Sequence, residues 1–124
     1  MNGQGAESCS APLTNALMPN LSAQDRLGRA VRLWDYRQKS HVALLLAPEA
    51  EAGIWRSWDE LIAQNGKIWT WLGIEFLRGS QVPGLAEGLY LMDRYGQLIQ
   101  FLPPGQWTAD QIEQTYLYHE AARC

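Results

Sequence analysis

Two cysteines, two histidines and two carboxylate pairs are the residues of this sequence whose chemistry could define a reaction. Cys9 stands near the amino terminus and Cys124 is the last residue printed. A thiolate acts as a nucleophile and exchanges with disulfides, so these residues could form a redox pair or reach a partner. Sequence does not say whether the two ends meet. We interpret them as incidental exposed thiols, with a redox pair as the alternative.

The histidines and carboxylates show no catalytic or metal-binding pattern. A metal site needs clustered ligands, and neither His41 nor His119 has a suitably spaced partner. They are interpreted as surface or helix-end histidines. Asp59 and Glu60 are adjacent, so on a helix they point in different directions and are solvated rather than an acid–base pair. The sequence therefore predicts no catalytic residues, no metal and no cofactor.

The bulk properties exclude several classes of partner. The chain has 124 residues, a net charge of −3 and no basic block, which argues against nucleic acid. No stretch approaches the roughly 20 apolar residues that a membrane span requires. The amino terminus lacks a basic region followed by an apolar one, so we expect a cytoplasmic protein. Residues 1–20 have no periodicity and are predicted to be a flexible leader, followed by one domain over residues 21–124.

The pattern of the remaining residues predicts a mixed α/β fold. The run from His41 to Ala47 is continuously apolar, as in a central strand covered on both faces. Thr108 and Gln111 form a capping box that opens the last helix. The other predicted elements are strands at 30–34, 67–74, 88–92 and 97–102, a helix from Pro48 to about 64, a loop over 76–88 and a final helix over 109–122. This order predicts a three-layer sandwich, with a mixed sheet of about five strands and helices on both faces.

Three passages carry a family resemblance. They are the stretch Leu27–Lys39, which has the form of an entry hairpin, the apolar run Val42–Ala47 before a helix, and Leu89–Leu98, which contains an Asp-Arg-x-Gly turn. In this order they make the sequence similar to the thioredoxin-like superfamily, in particular to its peroxiredoxin-like redoxin branch. The resemblance implies a thioredoxin-like fold over about residues 21–118.

The resemblance also implies where a redox nucleophile would stand. Redox-active members carry a cysteine just after the central strand, where the amino terminus of a helix stabilises the thiolate. Here the segment 47–53 contains no Cys and no Ser, and its carboxylates would oppose a thiolate. Ala86–Gly88 occupies the place of the family's cis-proline. We therefore expect a degenerate active-site region that comprises Pro48, Glu49, Glu51 and Gly88.

Tryptophan is unusually frequent, with six in the chain. Trp55 and Trp58 lie three residues apart on the predicted helix, and Trp69 and Trp71 share one face of a predicted strand. They could anchor a contact with another protein, or they could form a Trp-rich core with partial exposure. The sequence leaves both interpretations open.

The sequence-based hypothesis is a non-catalytic thioredoxin-like domain that serves as a binding or accessory subunit. Its partner would be another protein or a second copy of itself, through Trp55, Trp58, Trp69 or Trp71. The alternative is a thiol redox protein or sensor that acts through Cys9 and Cys124. A third possibility is a small-molecule site in the emptied cleft near Pro48 and Gly88.

Overall fold

A computed structural model describes residues 16–80 and 82–122. These residues form a six-stranded mixed sheet with three α-helices and a short 3-10 helix. The strands are β1 (Ser22–Gln24), β2 (Ala30–Arg32), β3 (His41–Leu46), β4 (Ile74–Gly79), β5 (Gly88–Met92) and β6 (Leu98–Leu102). The helices are α1 (Ala52–Gln64), α2 (Gly66–Leu72) and α3 (Ala109–Ala122), and the 3-10 helix spans Leu33–Tyr36.

The predicted central strand is confirmed as β3. The sheet order is β2-β1-β4-β3-β5-β6, in which β3 is parallel to β4 and antiparallel to β5. Every residue of β3 is buried, which explains the continuous apolar run from Val42 to Leu46. The register places Leu46 opposite both Gly79 and Gly88, so three strands converge where β3 ends.

The three helices pack on one face of the sheet. Alternate residues of β3, such as Ala43 and Leu45, point into a core with the apolar sides of α1, α2 and α3. The opposite face, which carries Val42 and Leu44, is covered by the 3-10 helix and by irregular chain. The mixed α/β class is as predicted. Two details differ, because there are six strands rather than about five and the described residues place no α-helix on the second face.

The segment 67–74 was predicted to be a strand but forms α2, and β4 occupies residues predicted as loop. Trp69 and Leu72, three residues apart, both face the core, while Thr70 and Trp71 face solvent. That spacing is helical, although the apolar residues also alternate along the sequence. Gly73 ends α2 in the left-handed conformation with φ of 74°, which suits glycine.

The carboxyl-terminal half follows the predicted elements. β5 and β6 form the predicted hairpin, and the Asp93 carboxylate accepts hydrogen bonds from the backbone N–H groups of Tyr95 and Gln97. Thr108 Oγ1 accepts a hydrogen bond from the Gln111 N–H at the start of α3, as the capping pattern predicts. The predicted strand 30–34 is shorter, since it passes into the 3-10 helix at Leu33.

The last residues of the predicted leader pack on the domain. Leu17 forms a β-bridge with Gln97, and Met18 is buried against the second face of the sheet. The packed domain therefore includes residues before 21. None of the described helices is both long enough and apolar enough to cross a membrane.

Candidate functional site

The turn between β3 and α1 is held by a set of short backbone contacts. The Ala47 N–H donates to the Gly79 carbonyl at 3.1 Å, which extends the β3–β4 ladder beyond Leu46. The Glu51 N–H then donates to the Pro48 carbonyl at 3.1 Å. The same carbonyl accepts the indole N–H of Trp55 at 3.0 Å. The turn is therefore anchored both to the sheet and to the first turn of α1.

The side chains of this turn offer charge but no nucleophile. The segment 47–53 reads Ala-Pro-Glu-Ala-Glu-Ala-Gly, which contains neither a thiol nor a hydroxyl. Glu49 and Glu51 are exposed, and no side-chain hydrogen bond caps α1. Carboxylates near a helix amino terminus are favourable for the helix but oppose a second negative charge. The arrangement favours binding of a positive group over stabilisation of a thiolate.

A cation stacks on the first turn of α1. The Arg78 guanidinium of β4 lies 4.1 Å from the ring centroid of buried Trp55, a cation–π distance. Beside it lies a cleft of about 270 Å³. The cleft is lined by β1, the start of β2, the turn between β3 and α1, α1 itself and the end of β4. Its lining residues are Ser22, Ala23, Gln24, Ala30, Glu49, Trp55, Arg78, Gly79 and Ser80. The cleft thus combines one carboxylate, one guanidinium and several neutral polar groups.

Gly88 lies on the opposite side of the end of β3, paired with Leu46. Its φ of 145° suits glycine, and a Cβ there would lie 2.7 Å from both the Leu102 carbonyl oxygen and the Phe101 ring. The pairing with Leu46 brings Gly88 to the same end of β3 as Pro48 and Glu49. Among residues 16–80 and 82–122 every peptide bond is trans, including those of residues 86–88.

The four tryptophans predicted as a contact surface do not share one surface. Trp55, Trp58 and Trp69 are buried in the core between the helices and the sheet. Trp71 is 77% exposed on α2. The expectation that Trp69 and Trp71 face the same way is wrong, because residues two apart share a face on a strand but point in nearly opposite directions on a helix, and both lie in α2. Trp71 alone of the four can meet a partner without rearrangement.

Cys9 and Cys124 lie outside the described residues.

A partly buried polar cluster, which the sequence does not predict, joins α3 to the sheet. His41 is fully buried, contrary to the surface position expected, and its Nε2 lies 2.6 Å from a Glu120 carboxylate oxygen. Arg94 reaches the same carboxylate at 3.4 Å. Burial lowers the pKa of His41, and the hydrogen bond to Glu120 acts in the opposite direction. His41 and Glu120 are 79 positions apart, so no local pattern links them.

Tyr116 and His119 complete this cluster from α3. The Tyr116 hydroxyl donates towards the carbonyl oxygens of Val42 at 2.7 Å and Met92 at 2.9 Å. Burial raises the pKa of Tyr116 well above its ordinary value. His119 Nε2 lies 3.8 Å from an Asp93 carboxylate oxygen. Over the described part of the chain, no three His, Cys, Asp or Glu side chains are placed to hold a metal ion.

Comparison with known proteins identifies the fold. No family model matches the sequence, and no curated protein matches it. Among solved structures, the mitochondrial 2-Cys peroxiredoxin of Plasmodium falciparum is similar, with a TM-score of 0.67, 13% identity, and coverage of 90% of this chain and 96% of that one. The peroxidoxin BcpB of Mycobacterium tuberculosis has a TM-score of 0.62, 10% identity, and coverage of 85% and 96%.

A third similar structure comes from the thioredoxin group. The thioredoxin domain of a thiol-disulfide oxidoreductase from Bacteroides vulgatus has a TM-score of 0.60, 11% identity, and coverage of 88% of this chain and 99% of that one. Identities this low establish the fold alone. The resemblance inferred from the sequence is confirmed at that level: the chain has a thioredoxin-like fold, similar to those of peroxiredoxins and thioredoxin domains.

Proposed function

We propose that this chain is a non-catalytic thioredoxin-like domain that binds another protein as an accessory subunit. The observation that carries the proposal is the turn after the central strand. Redox members of the family that the sequence resembles place a nucleophile there, whereas residues 47–53 offer only carboxylates as reactive groups. The Pro48 carbonyl is also engaged by the Trp55 indole, so this turn is tied to the body of the domain.

The contact surface that we propose is centred on Trp71 of α2. Exposed tryptophan is unfavourable in water and is a frequent anchor in protein interfaces. Trp71 directly precedes Leu72, which is buried, and so stands on a helix held against the core. A rigidly held aromatic loses little conformational freedom on binding, which favours affinity. A cytoplasmic location, expected from the sequence, belongs to the same proposal.

Quantitative co-purification from the host tests this proposal. We expect the tagged wild-type chain to retain a partner protein in fixed stoichiometry, and Trp71→Ala to lose most of it. Leu27→Ala is the matched control, because Leu27 is also 77% exposed but lies in the turn between β1 and β2. Equal retention by both variants would remove Trp71 from the interface. A wild-type chain that is monomeric and retains no partner reproducibly would contradict the binding function itself.

A further inference from the structure

The cleft between β1, β4 and the turn before α1 contains two opposite charges that do not neutralise one another. Glu49 and Arg78 both line it. Neither side chain forms a hydrogen bond or an ion pair with any residue in the described part of the chain, so the two charges are not paired with each other. A ligand that carries both a positive and a negative group would complement both charges of this cleft.

Arg78 is held in a conformation suited to an anionic group. Its guanidinium lies over the Trp55 ring, and Trp55 is fixed in turn by its indole bond to the Pro48 carbonyl. A guanidinium that stacks through its face keeps its N–H donors in the plane, where they can bind both oxygens of a carboxylate. The backbone of Arg78 is also paired with Gln24 of β1. The contact with Trp55 restricts the Arg78 side chain before a carboxylate binds, which reduces the conformational entropy lost on binding.

Glu49 supplies the opposite charge from a turn with a defined position. The backbone bonds from Ala47 to Gly79 and from Glu51 to Pro48 bracket it on both sides. Its carboxylate can accept hydrogen bonds from an ammonium group, and the hydroxyls of Ser22 and Ser80 add neutral polar contacts on the cleft wall. The volume of about 270 Å³ suits a small molecule rather than a folded partner.

We propose that this cleft binds a small zwitterion with an ammonium and a carboxylate group, namely a free amino acid or a short peptide. The carboxylate pairs with Arg78, and the ammonium pairs with Glu49. This inference goes beyond the protein-binding function and involves a different surface from Trp71. Because the two surfaces are different, a negative result for zwitterion binding would leave the protein-binding proposal standing, and the reverse also holds.

The test is calorimetric titration of the full chain with a set of small probes that differ in which charges they carry and in how far apart the charges lie. Glycine, diglycine and triglycine carry both charges at increasing separation, N-acetylglycine keeps only the carboxylate, and glycinamide keeps only the ammonium. We expect at least one of the three zwitterions to bind, and to raise the unfolding temperature in a parallel melt. The two singly charged probes should bind at least about tenfold more weakly, because each leaves one charged group unpaired.

Three variants assign the binding to this cleft. Arg78→Gln and Glu49→Gln should each lower the affinity for the best zwitterion at least about tenfold. Glu51→Gln is the matched control, since Glu51 is an exposed carboxylate of the same turn that does not line the cleft. If Arg78→Gln does not fold, Glu49→Gln and Glu49→Lys carry the test. Absence of binding by every zwitterion, equal binding of N-acetylglycine or glycinamide, or unchanged affinity in Glu49→Gln would overturn the proposal.

Discussion

Replacement of Tyr116 by phenylalanine isolates one buried hydroxyl that ties α3 to the two central strands. The hydroxyl lies within hydrogen-bond distance of the carbonyl oxygens of Val42 and Met92, which are register partners in β3 and β5. Tyr116→Phe removes this donor from both carbonyls and leaves the packed ring in place. Loss of a partner from buried polar groups costs about 1–3 kcal/mol. For a chain of this length, each kcal/mol lowers the unfolding temperature by roughly 3–6 °C.

The assay is thermal unfolding followed by circular dichroism, with urea denaturation to check that the slope m is unchanged. Tyr118→Phe is the matched control, because Tyr118 lies two residues further along α3 but is exposed. We expect it to unfold at the wild-type temperature. If Tyr116→Phe also unfolds within experimental error of the wild type, the reasoning about this hydroxyl is refuted.

Three further predictions concern the stability of the domain. Burial lowers the pKa of His41 below its value in the unfolded chain, so the unfolded chain binds the proton first as the pH falls. Stability should therefore fall as the pH drops from about 7.5 towards 5.5. The urea midpoint should depend less on pH in His41→Gln than in the wild type, and an unchanged dependence would contradict this role of His41. Gly88→Ala should lower stability by more than about 1–2 kcal/mol, since the positive φ adds to contacts of 2.7 Å with neighbouring atoms. Gly53→Ala in α1, where an added Cβ meets nothing within 4 Å, should instead be neutral or raise stability by up to about 1 kcal/mol in the same denaturation assay.

The central strand and the final hairpin could be predicted because their signals are local. Val42–Leu46 is apolar at every position, and Asp93 with Gly96 encodes the turn between β5 and β6. The region of α2 and β4 could not be assigned in the same way. Lys67–Ile74 alternates like a strand, whereas only the packing of Trp69 and Leu72 on the same core reveals the helix.

The candidate site was predictable in position but not in its contacts. The resemblance located the turn with Pro48 and Glu49, and the fold places Gly88 at the same end of β3. Arg78 was not identified, because it belongs to the strand that was missed and meets Trp55 only through tertiary packing. The pairing of His41 with Glu120 likewise depends on where α3 crosses the sheet, which residue spacing does not determine.

The most direct test of the central claim is the rate at which the full chain consumes peroxide and reduces a disulfide substrate. The wild type and the Cys9→Ser/Cys124→Ser double variant are compared with protein-free buffer, with a thiol reductant supplied to all. We predict that both proteins give the buffer rate, because the turn after β3 holds no nucleophile. Turnover by the wild type that the double variant loses would contradict the account and establish a thiol redox protein.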